Sequence, residues 1–137
     1  MGRIMAVDYG LKRTGLAVTD PLRLIATSLD TVETGKLFTF LKGYFEKEAV
    51  DEVVIGMPKT LGNEDSAIAP TVRKFVDEFK ATFAGKKVTL ADERFTSSMA
   101  RAAMVQGGMK KKDRRIKANV DKISATLLLQ NYMLSLG

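Results

Sequence analysis

Four consecutive apolar residues, Ile4, Met5, Ala6 and Val7, run directly into a carboxylate, Asp8, and this boundary constrains the fold more than any other feature of the chain. Such a run is enough for a short buried strand, which puts Asp8 at the strand's end. Gly10 and Gly15 bracket a turn carrying Lys12 and Arg13, after which Leu16, Ala17 and Val18 read as a second strand, so the stretch predicts a hairpin. A carboxylate at the tip of an apolar strand beside glycines is a common way to hold a metal ion near a phosphate. Taken alone, the same pattern is also ordinary strand-to-turn chemistry, and both readings stay open.

The remaining segments alternate strand and helix. Pro21 marks a turn, and residues 24–29 supply a third strand. Over 36–49 the period becomes helical, with Leu37, Phe40, Leu41, Tyr44 and Phe45 on one face as core residues. Val53, Val54 and Ile55 form a short β-branched run closed by Gly56, Met57 and Pro58, the pattern of a fully buried strand in a parallel pair. From Ser66 an amphipathic helix turns Ile68, Val72, Phe75, Val76, Phe79 and Phe83 inward, with Pro70 near its first turn and Gly85 ending it. Residues 88–91 are another strand, stopping at Asp92, Glu93 and Arg94. A helix capped by Thr96, Ser97 or Ser98 runs through Val105 to Gly107 and Gly108. The last helix starts near Asn119 with Val120, Ile123, Leu127 and Leu134 on one stripe, widened by Leu128. This order predicts one α/β domain over residues 1–137, with a five-stranded mixed sheet of antiparallel meander plus parallel strands, flanked by helices. In such sheets ligands bind outside the carboxyl ends of the parallel strands, where Asp8, the Gly56 turn and the Asp92–Glu93 pair all fall.

Composition narrows the chemistry. The chain has no cysteine and no histidine, which excludes thiol nucleophiles, zinc fingers and imidazole general bases, and leaves carboxylates, lysine and hydroxyls. No apolar run approaches the ~20 residues that span a bilayer, and no leader pattern is visible, so a soluble, cytoplasmic protein is expected. The net charge of +6 is unevenly placed: residues 1–100 hold 14 Lys and Arg against 14 Asp and Glu, and residues 101–137 hold 8 against 2. Six of those cations, Lys110, Lys111, Lys112, Arg114, Arg115 and Lys117, fall within nine residues, predicting an exposed loop suited to a polyanion.

Asp8, Glu93 or Asp92, and Asp121 are the candidates to converge on divalent metal. Magnesium takes oxygen ligands and needs few protein carboxylates, so no histidine is required. A pair of ions about 4 Å apart can activate water and stabilise the leaving oxygen of a phosphodiester. Each residue also has a plainer explanation. An acid in the first turn of a helix, as at Asp121, is favoured by the helix dipole alone, and Asp92, Glu93 and Arg94 can form a local salt bridge or helix entry.

Together these residues carry a resemblance. Asp8-x-Gly10 with Arg13, Gly15 and Asp20; Gly56-x-Pro58; Asp92-Glu93-Arg94-x-Thr96; Gln106-Gly107-Gly108 with the basic loop; and Val120-Asp121 leading to Gln130 and Tyr132 closely resemble the YqgF family, also called RuvX, across nearly the whole chain. That resemblance implies a ribonuclease H-like fold, a Mg²⁺- or Mn²⁺-dependent nuclease, Holliday junction resolution, and a role in maturing the 5′ end of precursor 16S ribosomal RNA. By position it implies Asp8, Asp121 and either Asp92 or Glu93 as catalytic acids; alternation sets the pair on opposite sides, so one of them faces the metal, a choice the sequence leaves open with Glu93 taken as the preferred ligand. Ser97 and Ser124 stand where the family pattern leads one to expect threonine and alanine. The expected partner is nucleic acid, held at its phosphates by Lys12, Arg13, Arg94 and the basic loop, with no membrane and a monomeric or weakly dimeric protein. A non-catalytic RNA-binding assembly factor is the competing reading; an actin-like ATPase is disfavoured because those enzymes close two lobes on a nucleotide.

Overall fold

The computed structural model describes residues 2–57, 68–92 and 117–136, with residues 92, 117–122 and 136 described by their backbone. The elements are β1 (Arg3–Asp8), β2 (Arg13–Thr19), β3 (Ala26–Glu33), a 3-10 turn (Thr34–Lys36), α1 (Leu37–Lys47), β4 (Val50–Met57), α2 (Ala69–Thr82), β5 (Lys87–Asp92) and α3 (Lys117–Leu136). The strands form one five-stranded sheet in the order β3-β2-β1-β4-β5. β1, β2 and β3 are an antiparallel meander, while β4 runs parallel to β1 and β5 parallel to β4. The mixed sheet expected from the strand and helix order is the one observed.

Strand alternation splits the core in two. Met5, Val7, Leu16, Val18, Val53, Ile55 and Met57 face α1 and α2, where Leu41, Val72, Phe75 and Phe79 complete the larger cluster. Ile4, Ala6, Ala17 and Val54 face α3 and meet Ala125, Leu128 and Leu129. β1 and β4 are apolar on both faces because helices cover both, which removes the polar alternation an exposed sheet would show.

Two sequence expectations need correction. The third strand begins at Ala26 rather than Leu24, because Leu24 and Ile25 belong to a loop in which both amides donate to Asp20 Oδ1 at 2.8 Å. Leu22 donates to Oδ2 at 3.1 Å, and Arg23 adopts the left-handed backbone at φ 59°. These amide donors, that of Ile25 foremost, hold the Asp20 carboxyl below its ordinary pKa. Asp20 thus serves loop geometry.

The second correction concerns the last helix. It buries Ser124, Ala125, Leu128 and Leu129, whereas Leu134 of the expected stripe is 79% exposed and Ile123 and Leu127 are half-buried. Three successive leucines at 127–129 point in different directions, so period alone could not choose the buried side. The small side chains at 124 and 125 choose it, by letting the helix approach the sheet.

Candidate active site

Asp8 closes β1, pairs with Gly15 across the hairpin and is half-buried. Alternation from Ile4 and Ala6 places it on the α3 face. The turn beyond it is built from backbone contacts. A Cβ on Gly10 would stand 2.2 Å from the Arg13 carbonyl oxygen, so only glycine fits there. Thr34 Oγ1 donates to the Gly10 carbonyl at 2.6 Å, and its amide donates to the Lys12 carbonyl at 2.9 Å. With the Thr34 hydroxyl proton committed to Gly10, Thr14 Oγ1 must donate to Thr34 Oγ1, 2.9 Å away. The turn is therefore clamped, with Lys12 and Arg13 exposed on it.

The position of α3 follows from two contacts. Ser28 Oγ and Thr126 Oγ1 are hydrogen-bonded at 2.8 Å, and Ser28 is level with Ala17 and Ala6 across the sheet. Nearer the C-terminus of α3, Tyr132 donates to Glu52, whose strand neighbour is Ile4. The N-terminus of α3 therefore points toward the end of the sheet where Asp8 lies. Asp121 precedes Thr126 by five residues, about 7.5 Å of helix. Asp8 follows Ala6 by two residues, about 6.6 Å of strand. The Asp121 backbone thus comes level with Asp8 on the side of the sheet that α3 covers, α3 lying mainly over β1, β2 and β3.

Asp92 ends β5 in register with Met57, and so sits at the same carboxyl edge as Asp8, with β4 between them. Met57 and Val88 belong to the α1 and α2 core, while Ala91 packs with the α3 layer. Glu93, Arg94, the expected helix from Thr96, Ser97 or Ser98 through Val105, and Lys110, Lys111, Lys112, Arg114 and Arg115 lie outside the described residues, and Lys117 is the first residue of α3. Among the described residues no group of three or more acids is close enough to hold a metal ion. Of the four candidate acids, only Asp8 has a described side chain.

Two features escaped sequence reasoning. Tyr9, next to Asp8, stacks on Phe75 with ring centroids 4.7 Å apart, and burial, then the nearby Glu78 charge, raises its pKa. Glu52 is buried and accepts from Thr89 Oγ1 at 2.8 Å and from Tyr132. Neither has a local signal: an acid before an apolar run looks like a strand flank, and its partners are 37 and 80 residues away.

A family model described as RuvX, Holliday junction resolvase, matches residues 2–135. A protein of Bacteroides thetaiotaomicron, named "Putative pre-16S rRNA nuclease", is 50% identical over 133 residues, covering 97% of this chain and 96% of its own. One of the same name from Amoebophilus asiaticus is 47% identical over 135 residues, covering 98% and 96%. Among solved structures, a fowlpox virus resolvase bound to Holliday junction DNA superposes with a TM-score of 0.63 at 16% identity, covering 98% of both chains. Thermus thermophilus RuvC bound to a junction gives 0.57 at 19% identity, covering 100% of this chain and 97% of that one. These structures share the ribonuclease H-like fold. With the family model spanning nearly every residue and relatives at this identity along their full length, the chain belongs to the RuvX family.

Proposed function

We propose that this chain is a single-domain, divalent-metal-dependent endonuclease that hydrolyses phosphodiesters in structured nucleic acid. Its substrate on this reading is the 5′ end of precursor 16S ribosomal RNA, a four-way DNA junction, or both. What supports the proposal is the course of α3, whose contacts at Thr126 and Tyr132 bring the backbone of Asp121 level with Asp8 on the α3 side of the sheet.

The donor set is made only of carboxylates, which suits the hard cations Mg²⁺ and Mn²⁺. Asp8, Asp121 and Glu93 would hold the metal. Position 93 has the strand parity of Thr89, which bonds Glu52 on the α3 side, and of Ala91, whereas Asp92 has the parity of Val88. On this reading strand parity favours Glu93 over Asp92 as the metal-facing acid. When bound, the metal would supply charge for the reacting phosphate and a more acidic water. Lys12 and Arg13, exposed on the clamped turn, contact phosphates on either side of the cut, and Arg94 with Lys110, Lys111, Lys112, Arg114, Arg115 and Lys117 extends that contact. Such contacts position a backbone without reading bases, so recognition follows shape and falls steeply with salt.

The test is cleavage of a four-way junction and of precursor ribosomal RNA by the purified chain with Mg²⁺ or Mn²⁺, beside Asp8→Asn. Loss of cleavage in the variant, with substrate affinity kept, is the expected result. Full cleavage by Asp8→Asn ends the assignment. Salt-sensitive binding by the wild-type chain with no cleavage under either metal would favour an RNA-binding assembly factor instead.

A further inference from the structure

Strand alternation sends Asp8 to the α3 face and Tyr9 to the opposite one, and on that side the structure has a cleft of ≈ 400 Å³. Its wall is aromatic: Tyr9 lies against Phe75, and Phe38 is tilted against the same ring with centroids 5.6 Å apart. Its rim is polar, with Lys74 and Glu78 both exposed along one side of α2 and Thr71 one turn before them. The volume falls in the ordinary range for a small-molecule or cofactor site, roughly 300–1,000 Å³.

Two features restrict what such a cleft can take. The Glu78 carboxylate repels a phosphate, so the cleft does not duplicate the phosphate-holding turn on which Lys12 stands. A flat neutral ring with donors and acceptors on its edge fits, because the rings offer stacking while Lys74 donates and Glu78 accepts. Tyr9 directly follows Asp8, so the cleft opens one residue beyond the acid, within reach of a chain whose phosphate lies there.

We propose that this cleft receives an unpaired nucleobase next to the phosphate held at Asp8, so that the protein prefers a phosphodiester flanked by a single-stranded nucleotide over one inside a continuous duplex. The inference rests on the nucleic-acid reading of the acid site and adds a specificity element to it. A base stacked on aromatic side chains contributes about 5- to 150-fold in affinity.

Gly35 is the place to test it. It lines the cleft, a Cβ there meets nothing within 4 Å, and its backbone lies outside the left-handed region, so Gly35→Trp sets a bulky side chain at the cleft without straining the turn. Binding of the full chain is measured by fluorescence anisotropy in EDTA, where no cleavage occurs. The probe is a hairpin with a single-stranded tail, made as RNA and as DNA, with the tail bases either intact or abasic. In at least one sugar form the intact tail binds about 5- to 150-fold more tightly, and Gly35→Trp abolishes that difference while leaving the abasic tail at wild-type affinity. Equal affinity for intact and abasic tails in both sugars overturns the proposal, as does a difference that persists in Gly35→Trp. A second readout needs no variant: 2-aminopurine in the tail is quenched on binding wild-type protein, and fluorescence unchanged at every tail position overturns the proposal too. Because both readouts are binding, a failed Asp8→Asn cleavage test would remove the nuclease reading and leave the cleft to be judged by itself.

Discussion

Replacing Tyr132 by Phe removes one hydroxyl from the seam that seats α3 on the sheet. That hydroxyl donates to the buried Glu52 carboxylate, which also accepts from Thr89 Oγ1 at 2.8 Å. Lys87 Nζ approaches to 3.9 Å but its side chain is 70% exposed, so it adds little. A hydrogen bond to a charged acceptor contributes about 1.5–3 kcal/mol, and the Thr89 bond survives in the variant, so the carboxylate is not stripped bare. Tyr132→Phe should therefore cost near the lower end, about 1.5–2 kcal/mol, a visible fraction of the roughly 5–15 kcal/mol that holds a domain together. Glu52→Gln keeps an acceptor but removes its charge. In that background the same Tyr132→Phe change should cost only about 0.5–1.5 kcal/mol, the value of a neutral bond. The double-mutant cycle, measured by equilibrium guanidinium unfolding at pH 7, thus predicts a coupling of about 1 kcal/mol. A cost below about 0.5 kcal/mol for Tyr132→Phe, or an equal cost in both backgrounds, would refute the claim that this buried charge anchors the helix carrying Asp121.

Gly10→Ala drives a methyl into the Arg13 carbonyl, so the turn must open; a loss of about 1–3 kcal/mol in unfolding free energy and impaired cleavage are expected, and a silent variant would show that the turn is not clamped. Ser124 Oγ is buried with no hydrogen-bond partner among the described residues, where the family pattern suggests alanine, so Ser124→Ala should raise stability by about 1 kcal/mol in the same assay with cleavage unchanged. Burial is the leading cause raising the pKa of Tyr9, Tyr44 and Tyr132 above 10.0, their ordinary value. Their contribution to stability is then fully present below pH 10 and lost as pH rises through the raised values, because the unfolded chain ionises first. Tyrosinate absorbance should appear at higher pH in the folded protein than in guanidinium; coincident titrations would contradict this.

The alternation of strand and helix was legible because each segment carried its own period: four apolar residues before Asp8, a β-branched run over 53–55, and Val72, Phe75, Val76 and Phe79 on one face of α2. The strand-end position of Asp8 was legible for the same reason, since a carboxylate after an apolar run marks where burial stops. The start of the third strand is not legible, because Leu24 and Ile25 have the residue types of a strand and only the folded loop shows that their amides are already committed to the Asp20 carboxylate, four and five residues back. Asp20 itself fits the family pattern, yet its hydrogen bonds to the amides of Leu22, Leu24 and Ile25 are those of a loop organiser.

By itself, then, the amino-acid order determined the element sequence, the exclusion of histidine and thiol chemistry, the clustering of positive charge after residue 100, and which acids could be catalytic. Tertiary structure alone decided that the backbone of Asp121 comes level with Asp8, 113 residues away in a chain of 137, on the α3 side of the sheet. It also decided that α3 seats through Ser124, Ala125, Leu128 and Leu129, and that Tyr9 opens onto a cleft on the far side of the same strand. The division has one cause. Local periodicity encodes which way a side chain turns relative to its own backbone, whereas distance between segments is set by the sheet register and by the side chains small enough to let a helix approach it.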